Sequence, residues 1–439
     1  MKGEKGFVFK NWAQTYSCMP ELLFRPETDE DIREILDLAR EKKKTVKVVG
    51  EGHSPSDIVC TDDYLISMKK FNRLVDVNHE KNQVTVEAGI TMNDLNKLLK
   101  DNGMGFSVLG AISGISVGGM ISTGTHGTGK NYGCSSTHVV DLELMTANGD
   151  IIKCSRQEKP ETFLCACCSL GSLGVILRVT LQCEPAFNLL SKVYPAELDD
   201  ILEHLDVHLS SSDHFRFQYY PYTGKVEVFH DSRTDKPIEK KKTSWFWDTL
   251  CGFHLFQLLY WISSFIPFLV KYVNHFIFWL LHSKQEVYVD WAPSVFNFNC
   301  LFEQFVNEWS IPRENTALVL KELQAWIINN DYPAHIPIEV RFVKGDDIYL
   351  SPASGRDVTY INIICFKPFG KFVPHDEYWR AYQKIAAENG GRPHWAKAHG
   401  LTGSELKTKY PKWDAFCQVR ESLDPAGMFL NENLKRTFN

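Results

Sequence analysis

The 439-residue sequence predicts an α+β fold of two domains, and three observations support this prediction. An amphipathic helical pattern over residues 29–43 runs directly into an apolar strand at 46–49. Glycine-punctuated strands then continue to about residue 187, without the G-x-G-x-x-G turn that a Rossmann fold places after its first strand. From Asn188 the pattern changes to the alternating strands of a second sheet. We therefore expect one domain over residues 1–187 and another over 188–439.

The composition is that of a globular protein and argues against nucleic acid as a partner. The chain is 44% hydrophobic and carries 48 basic against 54 acidic residues, a net charge of −6. Twelve cysteines are scattered, and the cluster Cys165, Cys167 and Cys168 has no second cluster at zinc spacing. We expect the cysteines to be small buried residues, and we predict no metal site. The first ten residues lack the apolar stretch of a signal peptide, so no secretion is expected.

Further elements follow from periodicity and turn residues. Helices are predicted at 92–102 and 201–209, and strands at 64–68, 83–89, 139–145, 150–153, 174–183, 215–220, 226–230 and 336–342. Asn148 and Gly149 form the predicted hairpin turn between two of these strands.

The first strand leads into a turn that can hold phosphate. Gly50 and Gly52 allow close approach of a ligand, and the turn also presents His53 and Ser54. A second stretch, residues 110–129, interleaves seven glycines with small polar residues, more than a helix or strand that only packs would need. A third glycine-punctuated approach lies at 171–176. The sequence therefore predicts three places where the backbone closely approaches a ligand.

One stretch also fits part of a P-loop. Residues 124–130 read G-T-H-G-T-G-K, but Asn131 follows where a Ser or Thr must bind Mg²⁺. The nucleotide-triphosphatase interpretation is therefore disfavoured.

Two later motifs carry candidate catalytic groups. In the predicted strand 336–342, a period of two places Glu339 and Arg341 on one face, opposite Ile338 and its apolar neighbours. An ordinary cross-strand surface pair would show the same pattern, so that alternative stays open. In the second motif, His394 and His399 are five residues apart, which does not fit the H-E-x-x-H zinc spacing.

The motifs together are similar to those of a known family. Val49 to Ser54, the Glu339-Val340-Arg341 strand and the His394-Trp395-Ala396-Lys397 turn resemble the aldonolactone oxidoreductases, a group of the vanillyl-alcohol oxidase flavoproteins. The similarity runs from about Phe7 to the C-terminus. It implies a PCMH-type FAD-binding domain, followed by an α+β substrate (cap) domain whose C-terminal segment returns to the flavin.

The resemblance also implies the site residues. FAD would be bonded covalently to His53, and the lactone would contact Glu339 and Arg341, with Lys397 near the reduced flavin and His394 shaping the pocket. The other cofactor-binding residues implied are Val49, Gly50, Glu51, Gly52, Ser54, Gly110, Ser113, Gly118, Gly119, Thr123, Gly124, Thr125, His126, Gly127, Gly174 and Ile176.

The implied reaction is oxidation of L-gulono-1,4-lactone at C2 by O₂, giving a 2-keto lactone that becomes L-ascorbate, and H₂O₂. Gly110 leaves room for O₂ where dehydrogenases of the group carry an alanine, which favours an oxidase. Alternatives are galactono- or arabinono-lactone as substrate, a cytochrome as acceptor, and a nucleotide-binding membrane scaffold without catalysis.

The hydrophobic segment 245–282 is rich in aromatic residues, and residues 249–270 carry no formally charged side chain. Its length could cross a bilayer, but polar residues and Pro267 interrupt it, so an interfacial segment or a buried helical pair also fits. The resemblance implies an endoplasmic reticulum (microsomal) membrane location.

Overall fold

A computed structural model describes residues 1–297 and 302–438 of the chain. The first helix spans Asp29–Lys42, and the side chain of Thr28 accepts a hydrogen bond from the Asp31 N–H in a capping box. The helix ends at Lys43, which adopts a left-handed conformation. Its buried face, which includes Ile32 and Leu36, packs on the adjoining strands, so the predicted helix and the strand that follows it are confirmed.

The N-terminal half contains two sheets that support the glycine turns. In the described chain, three parallel strands form the smaller sheet, in the order Leu22–Phe24, Tyr64–Ser67 and Val46–Val49. The larger sheet is antiparallel, and its five described strands are Ile151–Ser155, Val139–Met145, Val175–Gln182, Gln83–Glu87 and Leu74–Asn78. Two strand pairs complete this half: Phe9–Lys10 with Ser17–Cys18, and Met104–Gly105 with Glu184–Pro185.

The second half is built on an antiparallel sheet with eight strands among the described residues. Their order is Glu286–Trp291, Asn188–Glu197, Lys225–Thr234, His214–Tyr220, Ile338–Val343, Val358–Phe366, Gln304–Pro312 and Arg392–Pro393. One face packs in an apolar core with the helices Thr316–Asn329 and Asp376–Glu388. The opposite face carries the polar side chains of the site described below. The sheets and helices together confirm the predicted α+β class.

The remaining α-helices of the described residues are short connectors and C-terminal elements. They are Met92–Asp101, Val117–Ser122, Pro160–Ala166, Leu198–Glu203, Leu205–Ser210, Ala292–Phe296, Gly403–Lys409, Trp413–Leu423 and Glu432–Phe438. The predicted helix at 201–209 is therefore two helices, because the chain leaves helical geometry at His204. The last two helices contribute Trp413, Phe416 and Leu434 to the core of the N-terminal half.

The hydrophobic segment 245–282 forms a helical hairpin that we call the aromatic hairpin. It consists of a π-helix at Trp245–Leu255, helices at Phe256–Ser263 and Val270–Leu281, and a 3₁₀ turn at Pro267–Leu269 between them. One face, including Tyr260 and Ile277, packs against the large sheet. In residues 1–297 and 302–438, no helix has the length and apolar character needed to cross a membrane.

Candidate active site

A cavity of about 920 Å³ lies between the glycine turns and the polar face of the large sheet. Most of the site residues expected from the sequence line it. They are Val49, Gly50, Glu51, Gly52, His53, Ser54, Gly110, Gly118, Gly119, Thr123, Thr125, His126, Gly174, Ile176, Glu339, Arg341, His394 and Lys397. Ser113, Gly124 and Gly127 are not among the described residues of this lining.

Those three residues have structural contacts instead. The Ser113 carbonyl accepts a hydrogen bond from Asn93, at 2.9 Å. A Cβ on Gly127 would lie 2.8 Å from the Leu109 carbonyl oxygen, and Gly124 packs near Pro352 with a φ of +65°. At these positions glycine is needed for close packing or for a left-handed backbone.

The first two glycine turns contact each other at one wall of the cavity. A Cβ on Gly50 would lie only 1.9 Å from the Ser116 hydroxyl oxygen, so only glycine allows this approach. Ser116 in turn caps the helix Val117–Ser122 by accepting a hydrogen bond from Gly119. The glycine-rich stretch also contains a short helix, because Ser116 supplies a cap and Gly118 packs closely on Ala88.

His53 presents one ring nitrogen that has no partner. Its Nδ1 is buried and forms no hydrogen bond with any described group. Its Nε2 faces Gly114, where a Cβ would come within 2.8 Å of that nitrogen. Burial lowers the pKa of His53, so the imidazole is neutral near pH 7. A buried nitrogen without a partner is uncommon in proteins and suits a nitrogen reserved for a bond to another group.

Glu339 and Arg341 lie on the cavity face of the strand Ile338–Val343. The Arg341 guanidinium donates a hydrogen bond to Glu339 Oε1 at 2.7 Å, and the Arg216 guanidinium lies 3.8 Å from the same oxygen. Ile338, Val340 and Phe342 point into the core on the opposite face. The predicted alternation along this strand is therefore confirmed, and the pair is buried beside the cavity instead of exposed on the surface.

The register of the large sheet places Glu339 in a line of polar side chains that we call the polar row. Gln218 pairs with Glu339, Glu339 with Asn362, and Asn362 with Glu308 on successive strands. Glu227 extends the row beyond Gln218. All five residues line the cavity, and together they offer carboxylates and amides at the spacing of neighbouring strands to a polyhydroxylated ligand.

Glu308 connects the polar row to the turn that carries Lys397. It lies 3.2 Å from His126 Nε2 and 3.7 Å from the Lys397 ammonium nitrogen. Burial alone would raise the pKa of Glu308, but the His126 hydrogen bond and the Lys397 charge outweigh it and hold that pKa well below its usual range. The Glu308 carboxylate therefore stays ionised and holds Lys397 at the cavity.

The turn itself is fixed by backbone contacts. The His394 N–H donates to the Glu308 carbonyl, and the Lys397 N–H donates to the His394 carbonyl. The Trp395 indole donates to the Leu350 carbonyl, which buries this side chain away from the cavity. Burial lowers the pKa of His394 to about 3, so it is a neutral wall residue.

His126, Glu308 and His394 are also placed as a possible metal-ligand group. One donor atom from each lies within 4.8 Å of the others, and two imidazoles with a carboxylate are a known donor set for iron. Glu308, however, already accepts a hydrogen bond from His126, and the Lys397 ammonium beside it would repel a divalent cation. We therefore assign the group to positioning Lys397.

Lys47 is a cavity residue that the sequence patterns did not identify. Its ammonium donates to the carbonyls of Leu170 and Gly171, at 3.0 and 3.4 Å, and no ion pair of the described residues includes it. Burial lowers its pKa to about 7. The sequence did contain signals for two of the missed site residues. Lys47 is a lone lysine in the apolar strand Val46–Val49, and Asn362 lies in an apolar run. Because buried polar groups need partners, such residues indicate a polar site. Glu308 gave no such signal, since only the strand register brings it to the site.

Solved structures of low sequence identity share this fold. A crystal structure of cholesterol oxidase from B. sterolicum superposes with a TM-score of 0.81 at 16% identity, covering 100% of this chain and 97% of that chain. A solvent-stable cholesterol oxidase gives a TM-score of 0.80 at 18% identity, over 100% and 98% of the two chains. A family profile described as FAD binding domain matches residues 20–155. The chain is thus an FAD-binding protein with the vanillyl-alcohol oxidase fold expected from its motifs.

Sequence relatives narrow this class to one family. A profile described as D-arabinono-1,4-lactone oxidase matches residues 179–437. L-Gulonolactone oxidases of Scyliorhinus torazame and Bos taurus are 49% and 48% identical to the chain, covering 100% and 99% of it and 99% of each relative. A D-arabinono-1,4-lactone oxidase of Kluyveromyces lactis is 32% identical over 97% of this chain and 95% of its own length. The chain belongs to the aldonolactone oxidase family that this profile and these relatives define.

Proposed function

We propose that the protein oxidises L-gulono-1,4-lactone at C2 with O₂, producing H₂O₂ and the 2-keto lactone that becomes L-ascorbate. The observation that carries this proposal is the polar row, which faces the His53 turn across one cavity. The identity of 49% and 48% to two L-gulonolactone oxidases, against 32% to an arabinonolactone oxidase, favours gulonolactone over the related sugars.

Different residues of the chain act on the substrate and on the cofactor. Arg341 donates a hydrogen bond to Glu339 Oε1, and the other carboxylate oxygen of Glu339 accepts a hydrogen bond from the C2 hydroxyl of the lactone. When bound, FAD would supply the acceptor for the two electrons that leave C2 as hydride, with O₂ as the final acceptor. Lys397 provides fixed positive charge at the cavity wall, where negative charge develops during the reaction.

The same proposal includes a covalent bond between His53 and FAD. The nitrogen that would carry the flavin is Nδ1, because it is buried without a partner while Nε2 is packed against Gly114. The glycine turns at Gly50 and Gly118 would hold the phosphates through close backbone approach.

The test begins with purified holoprotein. After acid denaturation, wild-type polypeptide is expected to retain yellow flavin, and His53→Ala is expected to release it. Native protein mixed anaerobically with L-gulono-1,4-lactone should lose its flavin absorbance, and added O₂ should restore it with one H₂O₂ per flavin. L-Galactono- and D-arabinono-1,4-lactone serve as competing substrates.

A pair of variants tests the role of the polar row. Glu339→Gln should slow flavin reduction by about a hundredfold or more, since it removes the carboxylate that contacts the reacting hydroxyl. Glu197→Gln is the matched control, because Glu197 ends a strand of the same sheet, is not part of the described cavity lining and pairs with Lys225 at 2.6 Å on the surface. Equal rates in the two variants would contradict the assignment of Glu339, and absence of flavin would contradict the proposed function.

We further propose that the protein binds the surface of the endoplasmic reticulum membrane through the aromatic hairpin. The side chains of Trp245, Phe268 and Trp279 are 68%, 58% and 65% exposed. Exposed aromatic residues beside the basic run of residues 240–242 suit the interface between lipid headgroups and acyl chains.

A further inference from the structure

Two partly exposed cysteines lie together beside the first glycine turn. Cys18 ends the strand Ser17–Cys18, and Cys60 follows the turn that carries His53. Both pack against a small apolar cluster that includes Phe9 and Val49. Eight of the other described cysteines are buried, so this pair differs from them in access to small molecules.

Two hydrogen-bond donors lie beside the sulfur of Cys18. The Thr61 N–H lies 3.4 Å from Cys18 Sγ, and the Cys60 thiol also hydrogen-bonds to it. The Cys60 hydrogen bond, followed by that of Thr61, lowers the pKa of Cys18 to about 7 against the opposing effect of burial. The pKa of Cys60 is raised because its thiol is the donor in this pair. Burial raises the pKa of Cys154 and Cys183 to about 12, so those thiols stay protonated.

We propose that Cys18 and Cys60 are a peroxide-reactive thiol pair, in which Cys18 is the nucleophile and Cys60 closes a disulfide. The proposal rests on the proposed function for its source of oxidant, since that reaction releases H₂O₂ within the same molecule. The thiolate is the reactive form of cysteine, and low-pKa, accessible cysteines beside a second cysteine are the typical sites of reversible oxidation.

The chemistry balances with H₂O₂ as the only oxidant. The Cys18 thiolate attacks one peroxide oxygen, the O–O bond breaks, and the departing hydroxide takes a proton to become water. Cys18 is then a sulfenic acid, oxidised by two electrons. Cys60 loses its proton and attacks the Cys18 sulfur, the S–O bond breaks, and a second water leaves. Two thiols and one H₂O₂ thus give one disulfide and two waters.

The disulfide would close a loop that contains the whole first glycine turn. The segment between the two short N-terminal strands already holds this turn, because the Trp12 N–H donates to the Gly52 carbonyl and the Asn11 amide donates to the Ser54 carbonyl. The Trp12 ring also stacks on His53. On the other side, Asn431 donates to the Cys60 carbonyl at 2.8 Å. The disulfide would therefore join the N-terminal strand pair to the loop that continues from the cofactor turn.

The experiment uses reduced, desalted holoprotein treated with one to five equivalents of H₂O₂ in the absence of lactone. Alkylation and peptide mapping should find a Cys18–Cys60 disulfide, with a formation rate that rises through about pH 7, following the ionisation of Cys18. Cys60→Ser should accumulate a sulfenic acid at Cys18 that reacts with dimedone, and Cys18→Ser should leave Cys60 unoxidised. Cys417→Ser is the matched control, because Cys417 is also partly exposed, and it should form the disulfide as the wild type does.

Two results would overturn the thiol pair: unmodified Cys18 and Cys60 after this treatment, or Cys18 oxidised without a disulfide to Cys60. A second arm supplies L-gulono-1,4-lactone and O₂, with and without catalase, and a disulfide that catalase suppresses supports turnover as the oxidant source. A protein that releases no H₂O₂ with any lactone contradicts the proposed function, whereas its response to added peroxide still decides the thiol pair.

Discussion

At the scale of single residues, Lys47 shows how a buried charge can identify a ligand site. Its ammonium is buried in the cavity wall and contacts only two carbonyls among the partners described for it. Burying a cation without an anion costs free energy, which is why burial lowers the pKa of Lys47 to about 7. We therefore expect an anionic part of FAD, most simply a phosphate, to complete its coordination.

The variant Lys47→Met should separate the free-energy cost of burying the charge from the contribution of that charge to FAD binding. It keeps the apolar stem but removes the charge, so the flavin-free protein should melt at a higher temperature while FAD binds about tenfold more weakly, or about 1.4 kcal/mol less favourably. The His53→Ala background makes FAD binding reversible and measurable by titration. Lys69→Met is the control, since Lys69 is exposed and pairs with Glu51 of the same turn at 2.9 Å. Unchanged FAD affinity in Lys47→Met would contradict this role.

Gly110 is a second residue whose role can be tested by one methyl group. A Cβ there would lie 3.1 Å from the Thr125 methyl carbon and 3.5 Å from the His126 carbonyl oxygen, tight but without a severe overlap. We expect Gly110→Ala to slow reoxidation of the reduced flavin by O₂ about tenfold, while anaerobic reduction by lactone changes less than about twofold. Stopped-flow absorbance of the two half-reactions measures both rates.

The control for this substitution is Gly400→Ala, because no atom lies within 4 Å of a Cβ at that position. It should leave both half-reactions unchanged. Equal O₂ rates in Gly110→Ala and the wild type would mean that the methyl group does not restrict oxygen at this wall.

At the scale of elements, the structure of the aromatic hairpin explains why its sequence fits both a segment that contacts a membrane and a buried helical pair. Its helices carry apolar residues on every side, so periodicity cannot show which face is buried. In the structure Tyr260 and Ile277 pack against the large sheet, while Phe265 and Tyr272 are exposed. One segment therefore has both properties that the sequence presented as alternatives, a buried helical pair and an apolar surface.

Exposed aromatic residues of the hairpin should control membrane binding. The triple variant Trp245→Ser, Phe268→Ser and Trp279→Ser changes only exposed side chains, so it should keep the flavin and the melting temperature of the wild type. Wild-type protein should float with phospholipid vesicles in a density gradient, and the triple variant should stay at the bottom.

The control is Val207→Ser, which changes a side chain that is 65% exposed on another element. It should float as the wild type does. Wild-type protein that does not float with vesicles of neutral or anionic phospholipid would contradict the membrane proposal.

At the scale of the whole molecule, local sequence predicted the elements better than their assembly. The helix Asp29–Lys42 and the Glu339–Arg341 alternation depend on neighbours within a few positions, so capping and periodicity were sufficient to predict them. The polar row depends on strand register, which pairs residues as far apart in the chain as Gln218 and Glu339. Glu308 and Gln218 were missed for this reason, because pairing register is set by the complete fold.

The buried histidines give the molecule as a whole a predictable response to acid. Burial lowers the pKa of His214 to about 4 and the pKa of His335 and His394 to about 3. In the unfolded chain these groups bind a proton near pH 6.5, so below that pH the unfolded state binds more protons and the folded state loses stability. The loss is absent above about pH 7 and grows to about 2 kcal/mol for each histidine at pH 5.

Protonation of Asp346 has the opposite effect on the stability of the folded state. Burial raises its pKa to about 6, so acidification from pH 6 toward 4 favours the folded state at this residue. This gain is smaller than the combined loss from the three histidines, so the melting temperature should fall between pH 7 and 5.

His335 offers the sharpest test of this balance. Its Nδ1 accepts a hydrogen bond from the Phe366 N–H at 3.0 Å, a bond that protonation of Nδ1 would break. In His335→Asn the amide oxygen can accept the same bond without titrating, so the fall in melting temperature between pH 7 and 5 should be smaller than in the wild type. His204→Gln, at an exposed position, should follow the wild-type curve. Parallel curves for His335→Asn and the wild type would show that this buried imidazole does not contribute to acid sensitivity.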